Sequence, residues 1–167
     1  MKSLKRSLPI ILVFIAIISD PLVINAQKSA TVKEVAIKNL IDSQRYVFHA
    51  ENVTPMSGRQ RFLTSDYIVN ISKDTIISDL PYFGRAYSAP INSGEGGIKF
   101  TSTDFGYEII PRKKGGWDIT IKPKDVPDVQ RLTMTIFENG TASLQVTSTN
   151  RQPISFNGYV TKLKMKK

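Results

Sequence analysis

GWDITIKPKDVPDVQRLTMTIFENGTASLQV, residues 116–146, carries the fold of this chain in its spacing. Trp117, Ile119 and Ile121 alternate with Asp118, Thr120 and Lys122, a period of two that sends every second side chain to one face of a strand. Pro123 to Asp128 is polar and proline-containing and reads as a loop. Leu132, Met134 and Ile136 then share a face, and Ala142, Leu144 and Val146 return after Glu138-Asn139-Gly140. Asn-Gly between alternating runs is the strongest short hairpin signal, and a tight turn of that kind needs positive φ at both residues. Strands joined so closely run antiparallel, because parallel neighbours need a long crossover.

The same reading extends in both directions. Upstream, Tyr67, Val69 and Ile71 alternate with Ile68, Asn70 and Ser72, and Ser72-Lys73-Asp74 turns the chain into Thr75-Ile76-Ile77. Ile98 and Phe100 form a further run, followed by Phe105, Tyr107 and Ile109 and the turn Arg112-Lys113-Lys114-Gly115-Gly116. Downstream, Thr149-Asn150-Arg151-Gln152 turns before Ile154, Phe156 and Val160. One helix is legible. Thr31 and Glu34 have capping-box spacing, and Val32, Val35, Ala36, Leu40 and Ile41 recur at three- and four-residue steps until about Arg45. The expected fold is mainly β, an antiparallel open barrel or sandwich of hairpins, with one N-terminal helix over an end or face.

The first residues have the pattern of an export signal. Lys2, Lys5 and Arg6 precede the apolar run Leu8 to Ile18, which Asp20 and Pro21 interrupt. Eleven helical residues span about 16 Å, far short of the ~30 Å hydrocarbon core, so the run is a leader rather than a membrane span. Cleavage is expected after Ala26, leaving residues 27–167 as a single domain with no transmembrane segment, exported to the periplasm or cell envelope. The chain has no cysteine, which excludes a disulfide framework, a thiolate metal site and a lipid anchor on Cys.

The chain carries a net charge of +9. The leader accounts for part of it, and Lys162, Lys164, Lys166 and Lys167 crowd into the final KLKMKK. A short lysine run is ordinarily a solvated, aggregation-blocking end; the alternative is contact with anionic lipid or glycan. Nucleic acid is not an expected partner, since no recognition motif accompanies the charge.

Phe48-His49-Ala50, Pro55, Gly58, Leu80-Pro-Tyr-Phe-Gly-Arg-Ala-Tyr87, Gly94-Glu-Gly-Gly-Ile-Lys-Phe100, Gly116-Trp-Asp-Ile119 and Asn139-Gly140 occur in that order. In this the chain resembles the exported bacterial family catalogued as domain of unknown function 4251. The resemblance covers nearly the whole chain after the leader and is most specific over residues 80–100. It implies envelope export in Gram-negative, gut-associated bacteria, and it transfers no catalytic residues.

Chemistry has little to work with. A metal centre needs convergent ligands, and His49 is the one histidine. It lies in Tyr46-Val-Phe-His-Ala50, where a lone His is ordinarily a hydrogen-bonded structural residue. No G-x-S-x-G elbow, calcium loop or phosphate loop appears, and no cofactor is expected. Hydrolysis by paired carboxylates stays open among Asp66, Asp79, Glu95, Asp104 and Asp118, which fall on different hairpins. Of the N-x-[ST] matches at Asn52, Asn70 and Asn139, the last is better explained by its turn.

The segment LPYFGRAYSAPINSGEGGIKF, residues 80–100, is too long and too rich in Gly and Pro for a simple hairpin. In one reading Tyr82, Phe83 and Tyr87 fold inward and close a barrel end. In the other, Tyr82, Arg85 and Tyr87 are ligand-binding residues, two amphipathic rings flanking a planar guanidinium fork. Closure is the first expectation and the ligand surface the second. The function class that follows is a non-enzymatic envelope protein binding a small molecule, glycan or peptide. The alternatives are a protein-interaction or structural module docking an envelope partner, and a carboxylate-based hydrolase.

Overall fold

The computed structural model describes residues 21–87 and 96–163, with side chains from residue 32 onward. Residues 1–20, most of the expected leader 1–26, residues 88–95 with Gly94 and Glu95, and residues 164–167 with the lysines of the tail lie outside the described residues.

The helix α1 spans Pro21–Ser43, so it starts ten residues before the capping-box position Thr31. Proline fits the first turn because its missing N–H has no helical partner there anyway, and nothing in 22–30 breaks the run. The C-terminus falls close to expectation. Gln44 takes a positive φ of 51°. Its N–H bonds the Ile41 carbonyl at 3.0 Å and that of Arg45 the Leu40 carbonyl at 3.3 Å, a Schellman closure with Gln where Gly is usual.

Nine strands follow: β1 Tyr46–Pro55, β2 Arg61–Ile71, β3 Ile76–Leu80, β4 Ile98–Ser102, β5 Phe105–Pro111, β6 Trp117–Pro123, β7 Val129–Ile136, β8 Thr141–Ser148 and β9 Ile154–Lys162. All pairings are antiparallel, in the order β4-β3-β2-β1-β9-β8-β7-β6-β5. The first and last strands are thus neighbours. The two edge strands, β4 and β5, are consecutive in the chain and separated only by Thr103 and Asp104. Antiparallel alternation around the sheet gives β4 and β5 the same direction, so they are two halves of one bent strand. Its first half pairs with β3 and its second with β6. The result is a nearly closed, barrel-like meander, which resolves the barrel-or-sandwich alternative.

The bend is clamped from the β6–β7 loop. Asp125 accepts bonds from the backbone N–H of Thr103 at 2.7 Å and of Asp104 at 3.1 Å, and from the Ser102 hydroxyl. Those donors, led by Ser102, hold its carboxyl down at a pKa of about 2.

The interior is built from the alternating residues. Leu132, Met134 and Ile136, then Ala142, Leu144 and Val146, then Ile154, Phe156 and Val160 are buried, with Tyr46, Phe48 and Val53 of β1 and Ile119 and Ile121 of β6. Side chains fill the barrel, as in small barrels generally. A polar link crosses it: the hydroxyls of Tyr46 on β1 and Tyr107 on β5 lie 2.8 Å apart. Burial pushes the Tyr46 phenol well up, and that of Tyr107 up to about 12.

Tyr46→Phe leaves a half-buried hydroxyl unpaired and should cost about 1–2 kcal/mol, whereas Tyr46→Phe with Tyr107→Phe should recover much of it. Denaturant melts of the single and double variants check this. The phenols also set an alkaline limit. Their folded pKa values are raised, so their stabilisation is intact below about pH 10, the unfolded value. It is lost as pH climbs toward about 12 for Tyr107, and the double Phe variant should flatten that alkaline loss in a pH series of melts.

The Asn139-Gly140 hairpin forms with a different turn from the one expected. Only Gly140 has positive φ, 87°, and Phe137 N–H bonds the Thr141 carbonyl across a four-residue loop. Asn139 instead uses its side chain, accepting from the Thr141 N–H at 3.0 Å and hydroxyl at 2.8 Å.

Because the strands alternate, the connections sort onto two ends. The β1–β2, β3–β4, β6–β7 and β8–β9 loops share one end, here the upper. The α1–β1 link, the β2–β3, β5–β6 and β7–β8 turns and the exit of β9 share the lower. Helix α1 lies against the lower end, with Ile41 buried and Ile37 packed over Gly140.

Candidate functional site

At the upper end the chain leaves β3 at Leu80, and Pro81 is buried. Gly97 passes so close to the Leu80 carbonyl that a Cβ there would sit 2.6 Å from it. Tyr82 curls its ring back beneath the following residues, and its hydroxyl occupies the space a side chain at Gly84 would need. These glycines permit close approach and do not cradle a phosphate.

The Tyr82 hydroxyl lies 2.8 Å from the Arg85 carbonyl and 3.0 Å from that of Gln152, within reach of donating to either. Burial raises its pKa. Tyr82 is half-buried and packs against the core. Phe83 and Tyr87 do not join it. They are 42% and 70% exposed, and Arg85 is exposed as well. Residues 85–87 form a short ladder with the β8–β9 turn: Tyr87 N–H bonds the Asn150 carbonyl at 2.7 Å and Gln152 N–H the Arg85 carbonyl at 3.0 Å. Ala86 bridges Arg151 between them. Of the three sequence candidates, one is an anchor, and two project from the backbone it anchors.

Beneath them is a residue the sequence reading passed over. Arg151 is only 9% exposed. Its guanidinium lies 5.2 Å from the centre of the Tyr82 ring, donates to the Gly97 carbonyl at 2.9 Å and approaches the Asp128 carboxylate to 3.2 Å. One side chain thus ties the β3–β4, β6–β7 and β8–β9 loops together. Nearby, Arg61 at the start of β2 lies 5.2 Å from the Phe83 ring centre and brings the β1–β2 side to the same rim. Nothing in Thr149-Asn-Arg-Gln152 distinguished Arg151 from any polar turn residue, since its role depends on three loops distant in sequence.

The four aspartates weighed for hydrolysis, all among the described residues, have separate partners. Asp66 lies beside His49, Asp79 beside Lys99, Asp104 beside Lys124, and Asp118 accepts from Thr135 and approaches Arg112. Among the described residues no three His, Cys, Asp or Glu side chains gather as metal ligands would.

His49 has a more pointed setting. Its Nδ1 is 3.2 Å from Asp66 and its Nε2 2.9 Å from the Thr161 hydroxyl, with Tyr159 stacked on the ring at 5.0 Å. The order acid, imidazole, hydroxyl is that of a nucleophilic triad. It spans three neighbouring strands, however, and β1 is laddered on both sides, by β2 and β9, so the backbone beside His49 is committed to the sheet rather than to an oxyanion. The group works as a cross-strand brace, the structural role expected of a lone histidine.

A meander barrel with its first and last strands paired, one helix at the lower end and a braced aromatic and guanidinium rim at the upper defines the class. The chain belongs to the family described as Domain of unknown function (DUF4251), which matches residues 28–160. Among solved structures, it is similar in fold to a DUF4251 family protein from Bacteroides eggerthii DSM 20697. The TM-score is 0.62 at 16% identity, covering 81% of this chain and 91% of that one. No curated protein matches the chain.

Proposed function

We propose that this chain is an exported, non-enzymatic envelope protein whose upper rim binds a small or extended ligand bearing a carboxylate or sugar face. The leader of Lys2, Lys5, Arg6 and the apolar run Leu8 to Ile18 supports export, with cleavage after Ala26 and a periplasmic or envelope location. One observation carries the binding role. Tyr87 and Arg85 stand exposed on backbone that Tyr82 and the 150–152 turn hold in place. A closing plug would bury those groups. A preorganised ring and fork offer contact area and a bidentate donor at little ordering cost.

Titration with an acidic oligosaccharide and with a peptide carrying a free C-terminal carboxylate tests the reading. Arg85→Ala with Tyr87→Ala should weaken whichever probe binds by about 10-fold or more, as loss of anchor residues does. The melting temperature should move by no more than about 2 °C, since both side chains are exposed. Unchanged affinity, or a collapse of the fold, contradicts it.

An interaction module is the second reading, favoured by β5. Among the described residues this strand has a ladder partner only on its β6 side, and Ile110 on it is 53% exposed. Such an edge suits strand addition by an extended partner segment.

A further inference from the structure

We propose that the upper rim is a docking surface for another protein, and that its partner is an acidic polypeptide segment with apolar side chains set among its carboxylates. The inference rests on the binding role proposed for Arg85 and Tyr87, extends their surface onto the β1–β2 loop and names the kind of ligand.

Two short stretches build the surface. Residues 55–63 read PMSGRQRFL and residues 80–87 read LPYFGRAY. The Arg61 guanidinium, 5.2 Å from the centre of the Phe83 ring, brings them together. Met56 and Tyr87 are each 70% exposed, Phe83 42% and Phe62 83%. Phe62 alternates with Leu63, which packs against the core, so it stands on the outward side of the same strand end. Single apolar side chains mean little on a surface, but a group of them around one contact marks an interaction site.

The cations decide what the partner is. Arg59, Arg61 and Arg85 are all exposed, and among the described residues no carboxylate forms an ion pair with any of them. The aspartates of the neighbouring loops have other partners. Asp79, Asp104 and Asp128 lie beside Lys99, Lys124 and Arg151, and Asp125 is taken by the backbone of Thr103 and Asp104. Two such rims face to face would set arginine against arginine, which disfavours a second copy of this chain and favours a partner with carboxylates.

The residue types point to protein rather than lipid. These cations are arginine throughout, although lysine is the commoner base in the chain. Arginine, methionine and aromatic residues are enriched where proteins meet and lysine is depleted there, whereas either base serves an anionic membrane. A guanidinium also meets a carboxylate with two parallel N–H donors, which an ammonium cannot.

The test is calorimetric titration of the exported protein with a peptide alternating Glu and Leu, acetylated and amidated so that it has no terminal carboxylate. Peptides alternating Glu with Ser, and Lys with Leu, are the comparisons. The Glu–Leu peptide should bind, the Glu–Ser peptide at least about 10-fold more weakly, and the Lys–Leu peptide not at all. Met56→Ser with Phe62→Ser should weaken the Glu–Leu peptide by about 10-fold. The melting temperature should move by no more than about 2 °C, since both side chains are exposed. Arg59→Glu should weaken the peptide too, and reduce the salt dependence of its binding. The peptide comparison needs no variant, so it stands whatever the stability of each. Loss of peptide binding in Arg85→Ala with Tyr87→Ala, but not in Met56→Ser with Phe62→Ser, would overturn this inference and leave the rim reading standing; loss in neither would overturn both. No binding of the Glu–Leu peptide, equal binding of the Glu–Ser peptide, dimerisation through the rim, or binding to phosphatidylglycerol vesicles that the Glu–Leu peptide does not displace would each overturn the protein partner.

Discussion

Gly158→Ala is expected to be among the most damaging single substitutions in this barrel, costing about 3 kcal/mol or more. Gly158 lies on β9, opposite Ala50 of β1 and Ala142 of β8, where the last strand closes against the first. A Cβ there would collide with the His49 carbonyl oxygen and come within 2.9 Å of its carbon and 3.2 Å of the Ala50 Cα. All three are backbone atoms in a strand paired on both sides, so none can swing away as a side-chain tip would. Beside this contact the β1 register shifts between Ala50 and Asn52, a bulge that bends the strand. For a domain of this size, such a loss lowers the melting temperature by about 10 °C. Gly106→Ala is the matched control. It lies on β5 with nothing within 4 Å of an added Cβ, and should change stability by less than about 0.5 kcal/mol. Thermal melts of the two variants side by side check the claim. Equal behaviour would mean that β1 and β9 do not close the barrel at this spacing.

Arg151→Ala is expected to cost about 2–3 kcal/mol, and to abolish rim binding in a fold that remains largely intact. The change removes the cation over the Tyr82 ring, the donor to the Gly97 carbonyl and the partner of Asp128 together. The cost stays at or below the bottom of the range for broken buried pairs, about 3–5 kcal/mol, because Asp128, 39% exposed, can take up water once the guanidinium is gone. Arg151→Lys is the informative companion. An ammonium keeps the charge for Asp128, but it has neither the planar face to lie over Tyr82 nor the fork to reach Gly97 at the same time. It should therefore recover less than half the stability and little of the binding. Melting temperature and probe affinity, measured on both variants, separate the structural from the functional share. A lysine variant with full binding would show that Arg151 acts only as a charge.

The strands were legible because a half-buried barrel wall writes a period of two into the chain, and Trp117 to Val146 does so with few exceptions. The turn at Gly140 was legible for the same local reason, although its geometry needed one positive φ where the dipeptide suggested two. Legibility failed where a feature depends on something distant. The capping-box pattern at Thr31 was present but unused, because Pro21 begins the helix earlier. Ile98-Phe100 and Phe105-Ile109 read as two successive runs, with nothing to mark Thr103-Asp104 between them. The reading of that pair as a corner in one strand rests on Asp125, twenty-one residues past Asp104, and on the partners β3 and β6. At the rim, composition named Tyr82, Arg85 and Tyr87, yet could not say that Tyr82 packs inward without Phe83 and Tyr87, or that Arg151 lies against its ring.

The proposed rim has one direct physical readout, the amide chemical shifts of the isotopically labelled protein during titration with the acidic oligosaccharide and the carboxylate peptide. The account predicts saturable shifts centred on residues 85–87 and 150–152, with the lower-end turns at 73–74 and 113–116 unmoved. Shifts confined to the lower end, or none at any concentration of either probe, would contradict it.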